Sequence, residues 1–180
     1  MVSRTTYTRL AQITSLLVFI LIVLGAWVRL SDAGLGCPDW PTCYGHLTWP
    51  TAETEVSEAN QAYPSMPVDG NKAMKEMVHR YVAGPVGILI VILAVLAWRR
   101  KRADSTQPVW IPTILVPVVG AQAILGMLTV TLLVKPAIVT LHLVGGLSTF
   151  ALLIWLLCSL RNQAPVKLSS TGRGLLWLGM

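Results

Sequence analysis

Four stretches of this chain, residues 10–28, 81–98, 109–134 and 137–160, are too long and too apolar to suit water. Each is near or above the roughly 20 residues an α-helix needs to cross the hydrocarbon core of a bilayer. Lipid offers backbone N–H and C=O groups no partner, so a crossing segment must satisfy them internally, which selects helices over strands. The stretches therefore predict an all-α integral membrane protein, an antiparallel four-helix transmembrane bundle. Composition agrees: 54% of residues are hydrophobic and 12% charged, against about a quarter charged in soluble domains.

The first stretch has a basic flank in Arg4 and Arg9, as a signal peptide would. It is longer than a usual signal core, no small-x-small cleavage site follows, and residues 25–30 run on into a loop. It reads as a retained helix, opening near Thr8 and ending around Arg29. The formal net charge of +6 is no sign of nucleic-acid binding, because of where the cations lie. Arg4 and Arg9 precede the first span, Arg99, Arg100, Lys101 and Arg102 follow the second, and Arg161, Lys167 and Arg173 follow the fourth. In alternating helices all of these share one side. The loop 31–78 instead holds Asp32, Asp39, Glu53, Glu55, Glu58, Asp69 and Glu76. The positive-inside rule then predicts cytoplasmic termini and an external loop.

That loop divides in two. Residues 31–50 are rich in Gly, Pro and Trp and read as ordered, whereas 51–71 are acidic and polar and read as mobile or weakly structured. Pro112 and Pro117 are expected to bend the third helix, and Lys135-Pro136 makes a turn tight enough to pack the third and fourth helices antiparallel. The chain thus divides into a bundle over 1–160 and a cytoplasmic linker over 161–180, whose Gly174-Leu175-Leu176-Trp177-Leu178-Gly179-Met180 reads as the start of a fifth helix.

Two histidines stand in or beside the spans. The second helix opens Glu76-Met77-Val78-His79-Arg80, where Glu76 and His79 share a face as i,i+3 neighbours. Ala83 and Gly87 continue a small-residue stripe beneath His79. In the fourth helix His142 lies six residues beyond Pro136, about 9 Å deep at the helical rise, with Gly145 and Gly146 clearing the same face. Ionisable groups inside a span are usually functional, and two imidazoles over small residues suit axial ligation of a heme iron. Such a pair also binds other metals or shares a hydrogen bond, and the same glycines serve plain helix packing.

The segment 25–45 reads Gly-Ala-Trp-Val-Arg-Leu-Ser-Asp-Ala-Gly-Leu-Gly-Cys-Pro-Asp-Trp-Pro-Thr-Cys-Tyr-Gly. It resembles the first extramembrane loop of the heme A synthase family in its cysteine-bearing bacterial form. The resemblance extends to the Glu-x-x-His-Arg of the second helix, the histidine of the fourth, and the Gln122-Ala123-Ile124-Leu125-Gly126-Met127-Leu128-Thr129-Val130 pattern of the third. It covers residues 25–146 and only the N-terminal half of an eight-helix family built from two similar halves. The second histidine pair, which in the family holds a b-type heme, has no counterpart here.

The resemblance implies a heme-modifying oxidoreductase of a bacterial inner membrane. It would oxidise the ring methyl of heme O to a formyl group by successive hydroxylation, giving heme A for terminal oxidases. His79 and His142 would hold iron, Glu76 would act as acid/base or proton relay, and Arg29 and Arg80 would meet the propionates. Interfacial anchoring is the alternative reading of the arginines, and Arg80 adjoins the ligand His79. Cys37 and Cys43, on the oxidising side, are placed for a disulfide that is either a staple or a part of the activity. Implied partners are heme O, heme O synthase, membrane lipids, and a second copy or a C-terminal half. Cys158 reads as an inert packed thiol, His46 as a surface loop residue, and Trp40 and Trp49 as an interfacial belt or lid. Two other readings stand beside this one: a non-catalytic b-type heme protein, which needs neither Glu76 nor the cysteines, and a membrane thiol oxidoreductase, which leaves both histidines unexplained.

Overall fold

The computed structural model describes residues 2–162 and contains five helices: α1 (Arg4–Leu30), α2 (Glu53–Ala62), α3 (Gly70–Lys101), α4 (Trp110–Thr131) and α5 (Pro136–Asn162). All but α2 are long and apolar enough to cross a membrane. The fold is thus the expected helical bundle, that of a multi-pass membrane protein. The linker and the start of a fifth helix lie outside the described residues.

Local chemistry sets the helix ends. The Ser3 hydroxyl accepts from Thr6 N at 3.1 Å and caps α1, so that helix begins at Arg4 rather than near Thr8. Asp69 accepts from the N–H groups of Asn71 and Lys72 and caps α3. That helix therefore starts at Gly70, one and a half turns before Glu76, and stands above the apolar part of the bundle. Pro112 falls in the first turn of α4, where a missing N–H is harmless. The prolines within helices are Pro117 in α4 and Pro85 in α3.

Each long helix packs on two others. α1 and α4 both touch α3 and α5, so α1 lies diagonal to α4 and α3 diagonal to α5. Tyr7, Val18, Ile90, Leu93, Leu115, Leu153 and Leu156 fill the middle and basic end of this ring, where the Tyr7 hydroxyl donates to the Leu93 carbonyl at 3.3 Å. At that end Arg100 Nη1 donates to Val2 O at 2.6 Å and Arg4 Nη2 to Leu160 O at 2.5 Å, tying the termini to the bundle. Leu16, Phe19, Ile88, Val95, Ile124 and Trp155 face outward, as lipid contact requires.

A second core caps the other end. Cys37, Cys43, Tyr44, Ala59, Ala73 and Met77 are buried together with Trp49, Tyr63 and Val68 around them. The acidic segment expected to be weakly structured is instead the ordered helix α2. Glu55 reaches back to the N–H groups of Thr51 and Ala52, at 2.9 and 3.2 Å, half of a capping box. The Asn60 side chain accepts from Val68 N at 2.7 Å, and Tyr63 meets Tyr44 edge-on with ring centroids 5.6 Å apart. The acidic side chains lie on the outside of this helix; its inward side is what packs.

Candidate functional site: a histidine layer beneath a disulfide-closed cap

Cys37 and Cys43 are joined as a disulfide. Between them Asp39 organises the loop: its carboxylate accepts from Thr42 Oγ1 at 2.5 Å, Tyr44 N at 2.6 Å and Gly45 N at 2.9 Å. Gly36 lets the loop lie against α3, because a Cβ there would collide with the Lys72 backbone. Tyr44 donates toward the carbonyls of Met66 and Pro67, and burial pushes its phenol above the ordinary value. At the rim, Lys72 donates to Asp32 at 3.0 Å and holds that carboxyl below its usual range.

The cap is gripped by two residues of α3. Arg80 Nη1 donates to the carbonyls of Asp39, Pro41 and Thr42, at 3.0, 3.3 and 2.7 Å, and Nη2 pairs with Glu76 Oε1. Glu76, only 5% exposed, also accepts from Cys37 N through Oε2 at 3.0 Å. Loop, carboxylate and guanidinium form one network, and Tyr81 adds a bond from its hydroxyl to Leu47 O. Both Glu76 oxygens and both terminal nitrogens of Arg80 are engaged within the chain.

Below this network the packing changes. No residue is buried from 19 to 27 on α1, from 78 to 85 on α3, from 116 to 129 on α4, or from 136 to 148 on α5. The four intervals face one another at the same height, between the bundle core and the cap core. His79 and His142 lie in this layer. They come from diagonal helices, so they approach across the bundle. A glycine of a neighbouring helix receives each ring: a Cβ on Gly25 would lie 3.1 Å from His79 Cε1, and one on Gly126 would lie 3.4 Å from His142 Cε1. Both Nδ1 atoms are buried without a hydrogen-bond partner.

Two imidazoles with unpaired Nδ1 atoms, set across an apolar layer, have the donor chemistry to hold a Lewis acid. Among the described residues no third His, Cys, Asp or Glu joins them to make a metal cluster. A bare ion such as zinc wants about four ligands, so the donor set suits a metal that arrives with its own equatorial ligands, a macrocycle held from two sides.

Other expected positions fall elsewhere. The space over Gly145 is taken by the Gln122 amide, on which a Cβ would fall; the clearances at the histidines are those of Gly25 and Gly126. Arg29 is exposed and lines a cleft of about 130 Å³ with Asp32, Gly34, Leu35, Lys72 and Val134. His46 is half-buried and exchanges two backbone hydrogen bonds with Cys43. Trp40 is exposed, and Trp49 packs on the cap core. Cys158 is exposed on α5 rather than packed. Sequence reasoning gave no role to Asp39, Gln122, Gly25 or Gly126. Two had a visible signal: Asp39 is a carboxylate between two cysteines, and Gln122 is an amide within an apolar span. The two glycines had none, because their partners sit on other helices.

Residues 8–180 match the sequence profile of the cytochrome oxidase assembly protein family. The chain is 39% identical to a heme A synthase of Shewanella oneidensis, over 91% of the chain and 52% of that relative. It is 31% identical to a heme A synthase of Bacillus cereus, over 83% of the chain and 42% of the relative. It is also 32% identical to protoheme IX farnesyltransferase 1 of Natronomonas pharaonis, over 84% of the chain and 28% of the relative. The chain thus spans about half the length of the first of these and less of the others. No solved structure matches it.

Proposed function

The chain belongs to the cytochrome oxidase assembly protein family, and from that premise we propose that it is the catalytic half of a heme A synthase. It would oxidise the ring methyl of heme O to a formyl group, supplying heme A to terminal oxidases. The observation that carries this reading is the loosely packed layer between two cores, with an opposed imidazole pair inside it. That layer suits a macrocycle: two imidazoles that would hold its iron, no buried side chains in the way, and apolar helices for an isoprenoid tail.

When bound, the iron would supply the oxidising chemistry at the ring methyl. The chain's own residues do the rest. His79 and His142 would hold the iron and so fix the height of the ring in the layer. The apolar layer shuts out bulk water, and the cap covers its external face. Counted with water as the oxygen donor, converting methyl to formyl releases four electrons, to an acceptor outside this chain, and four protons. Glu76 is the carboxylate closest in sequence to either imidazole, one turn from His79, so it is the group to receive protons and pass them to the cap. Arg29, exposed at the external rim, is placed to meet a propionate; Arg80, bonded to three loop carbonyls, acts first on Glu76 and the loop. Cys37 and Cys43 close the loop on which that network rests.

In this reading the basic end faces the cytoplasm of a bacterial inner membrane and the cap faces outward, an orientation that the charge distribution supports. The rest of the machine, including a second site for heme b, lies in a C-terminal half or a second copy, and heme O synthase is the supplier of substrate. Extraction and mass analysis of heme from the purified chain tests the reading. Heme O or heme A is the expected content, and heme B alone would replace the synthase with a generic b-type cytochrome. Glu76→Gln should retain bound heme O but stall its conversion; undiminished heme A formation would remove Glu76 from the chemistry.

A further inference from the structure

Gln122 is a polar side chain in the middle of an apolar span, and its amide makes no hydrogen bond among the described residues. Its position is well defined. A Cβ on Gly145 of α5 would fall on Nε2, and one on Gly146 would lie 3.9 Å from Oε1 and 4.0 Å from Ile22 Cγ1 of α1. α1 is diagonal to α4, so a point close to residues of α1, α4 and α5 at once is inside the ring of helices. The amide therefore points into the bundle and not into lipid. It lies about one turn deeper than the imidazoles: Gln122 is four residues from Gly126, the glycine that receives His142, and Gly146 is four residues beyond His142.

Gln122 is half-buried, and a carboxamide set among apolar side chains without a partner leaves its hydrogen-bonding capacity unused. The glycine at 145, which makes room for it, also marks the amide as seated rather than stray. Building on the proposed function, we infer that Gln122 is the specificity residue that recognises the hydroxyl of the substrate's hydroxyalkyl-isoprenoid substituent. That hydroxyl is the polar group on the macrocycle edge away from the propionates, hence on the deeper side when the propionates face the cap. It is also absent from heme B, which carries an unmodified vinyl group at that position. The carboxamide oxygen accepts the hydroxyl proton, and the amide nitrogen donates to the hydroxyl oxygen. A site built to bond a hydroxyl rejects the analogue that lacks one, because its own polar group is then left unpaired. Apolar contacts to the tail add affinity; the amide adds discrimination.

The test is a competition. The chain is purified from membranes of cells that make both heme B and heme O, and the extracted hemes are resolved by chromatography and normalised to protein. Wild type should carry heme O in excess over its share of the membrane pool. Gln122→Leu should lower the ratio of heme O to heme B by about tenfold, the worth of one buried hydrogen bond, by raising heme B occupancy. Gln122→Glu, which keeps an acceptor, should recover part of the ratio. Gly145→Ala leaves the amide in the chain but places a methyl on its seat, so it should reproduce the loss and decides the matter if Gln122→Leu does not accumulate. An unchanged ratio in these variants overturns the role of Gln122 and leaves the synthase reading intact. Absence of heme O from wild type overturns that reading itself.

Discussion

Replacing Arg80 by Met should loosen the cap more than cutting the disulfide that closes it. The Glu76–Arg80 pair is buried, with side chains 7% and 14% exposed. Removing the guanidinium leaves the carboxylate with Cys37 N as its remaining partner and strips three loop carbonyls of their donor. Breaking a buried pair from one side costs about 3–5 kcal/mol. The disulfide spans six residues of sequence, and closing so small a loop contributes only about 2 kcal/mol in the chain-entropy model. At 1.4 kcal/mol per tenfold, Arg80→Met should raise transient opening of the cap more than a hundredfold, and Cys37→Ser/Cys43→Ser about thirtyfold. Protease cleavage within the cap follows the open population when reclosing is fast, so cleavage rates of detergent-purified chain measure both. The charge account has its own control. Glu76→Gln in the Arg80→Met background removes the stranded charge and keeps an acceptor for Cys37 N, so it should return cleavage to within about tenfold of wild type. A double variant as labile as Arg80→Met, or a disulfide variant more labile than either, would refute the assignment of cap stability to this pair.

His79→Ala and His142→Ala should each abolish a low-spin bis-imidazole absorption spectrum that His46→Ala leaves untouched; the same spectrum in both alanine variants would remove the ligand pair. Gly25→Ala, whose methyl would press on His79 from 3.1 Å, should shift that spectrum without abolishing heme content, and an unaltered spectrum would mean the ring has room to spare. Gly36→Ala should cut the yield of folded protein, because the neighbour it meets is the Lys72 backbone, which cannot turn aside; normal yield and melting would show the loop to be free to lift. In intact cells an impermeant thiol reagent should label Cys37 and Cys43 only after reduction and never Cys158, while labelling of Cys158 alone would invert the topology.

What could be read from residues alone follows from the range of the interactions involved. Hydropathy is local, so all four spans were visible, as was the oddity of His79 and His142 within or beside them. Helix starts depend on one capping side chain, and Asp69 is hidden by the polar run around it, so the sequence points to Glu76 as the opening of α3 where the structure has Gly70. The acidic segment was read by composition, yet a few residues, Glu55, Ala59, Asn60 and Tyr63, decide its order through contacts with a loop many residues away. The same limit hid the pairing of each histidine with a glycine on another helix. Spacing within a helix shows which residues share a face; it does not say what the next helix puts against that face.

The arrangement of α3 makes one consequence unavoidable. Glu76 and Arg80 precede and follow His79 by three residues and one, and both are bonded to the disulfide-closed loop. On a continuous helix these three side chains cannot turn independently. Nine residues of α3 separate its start at Gly70 from His79, about 13 Å at the helical rise, and through Ala73 and Met77 that segment is part of the cap core. α5, by contrast, brings His142 from a short turn and has no residue in that core. The cap therefore sets the rotation of one imidazole and not the other. A change in the loop that shifts Arg80, such as Asp39→Ala, should alter the contact of His79 with Gly25 more than that of His142 with Gly126, and equal perturbation of both rings by NMR would refute this coupling.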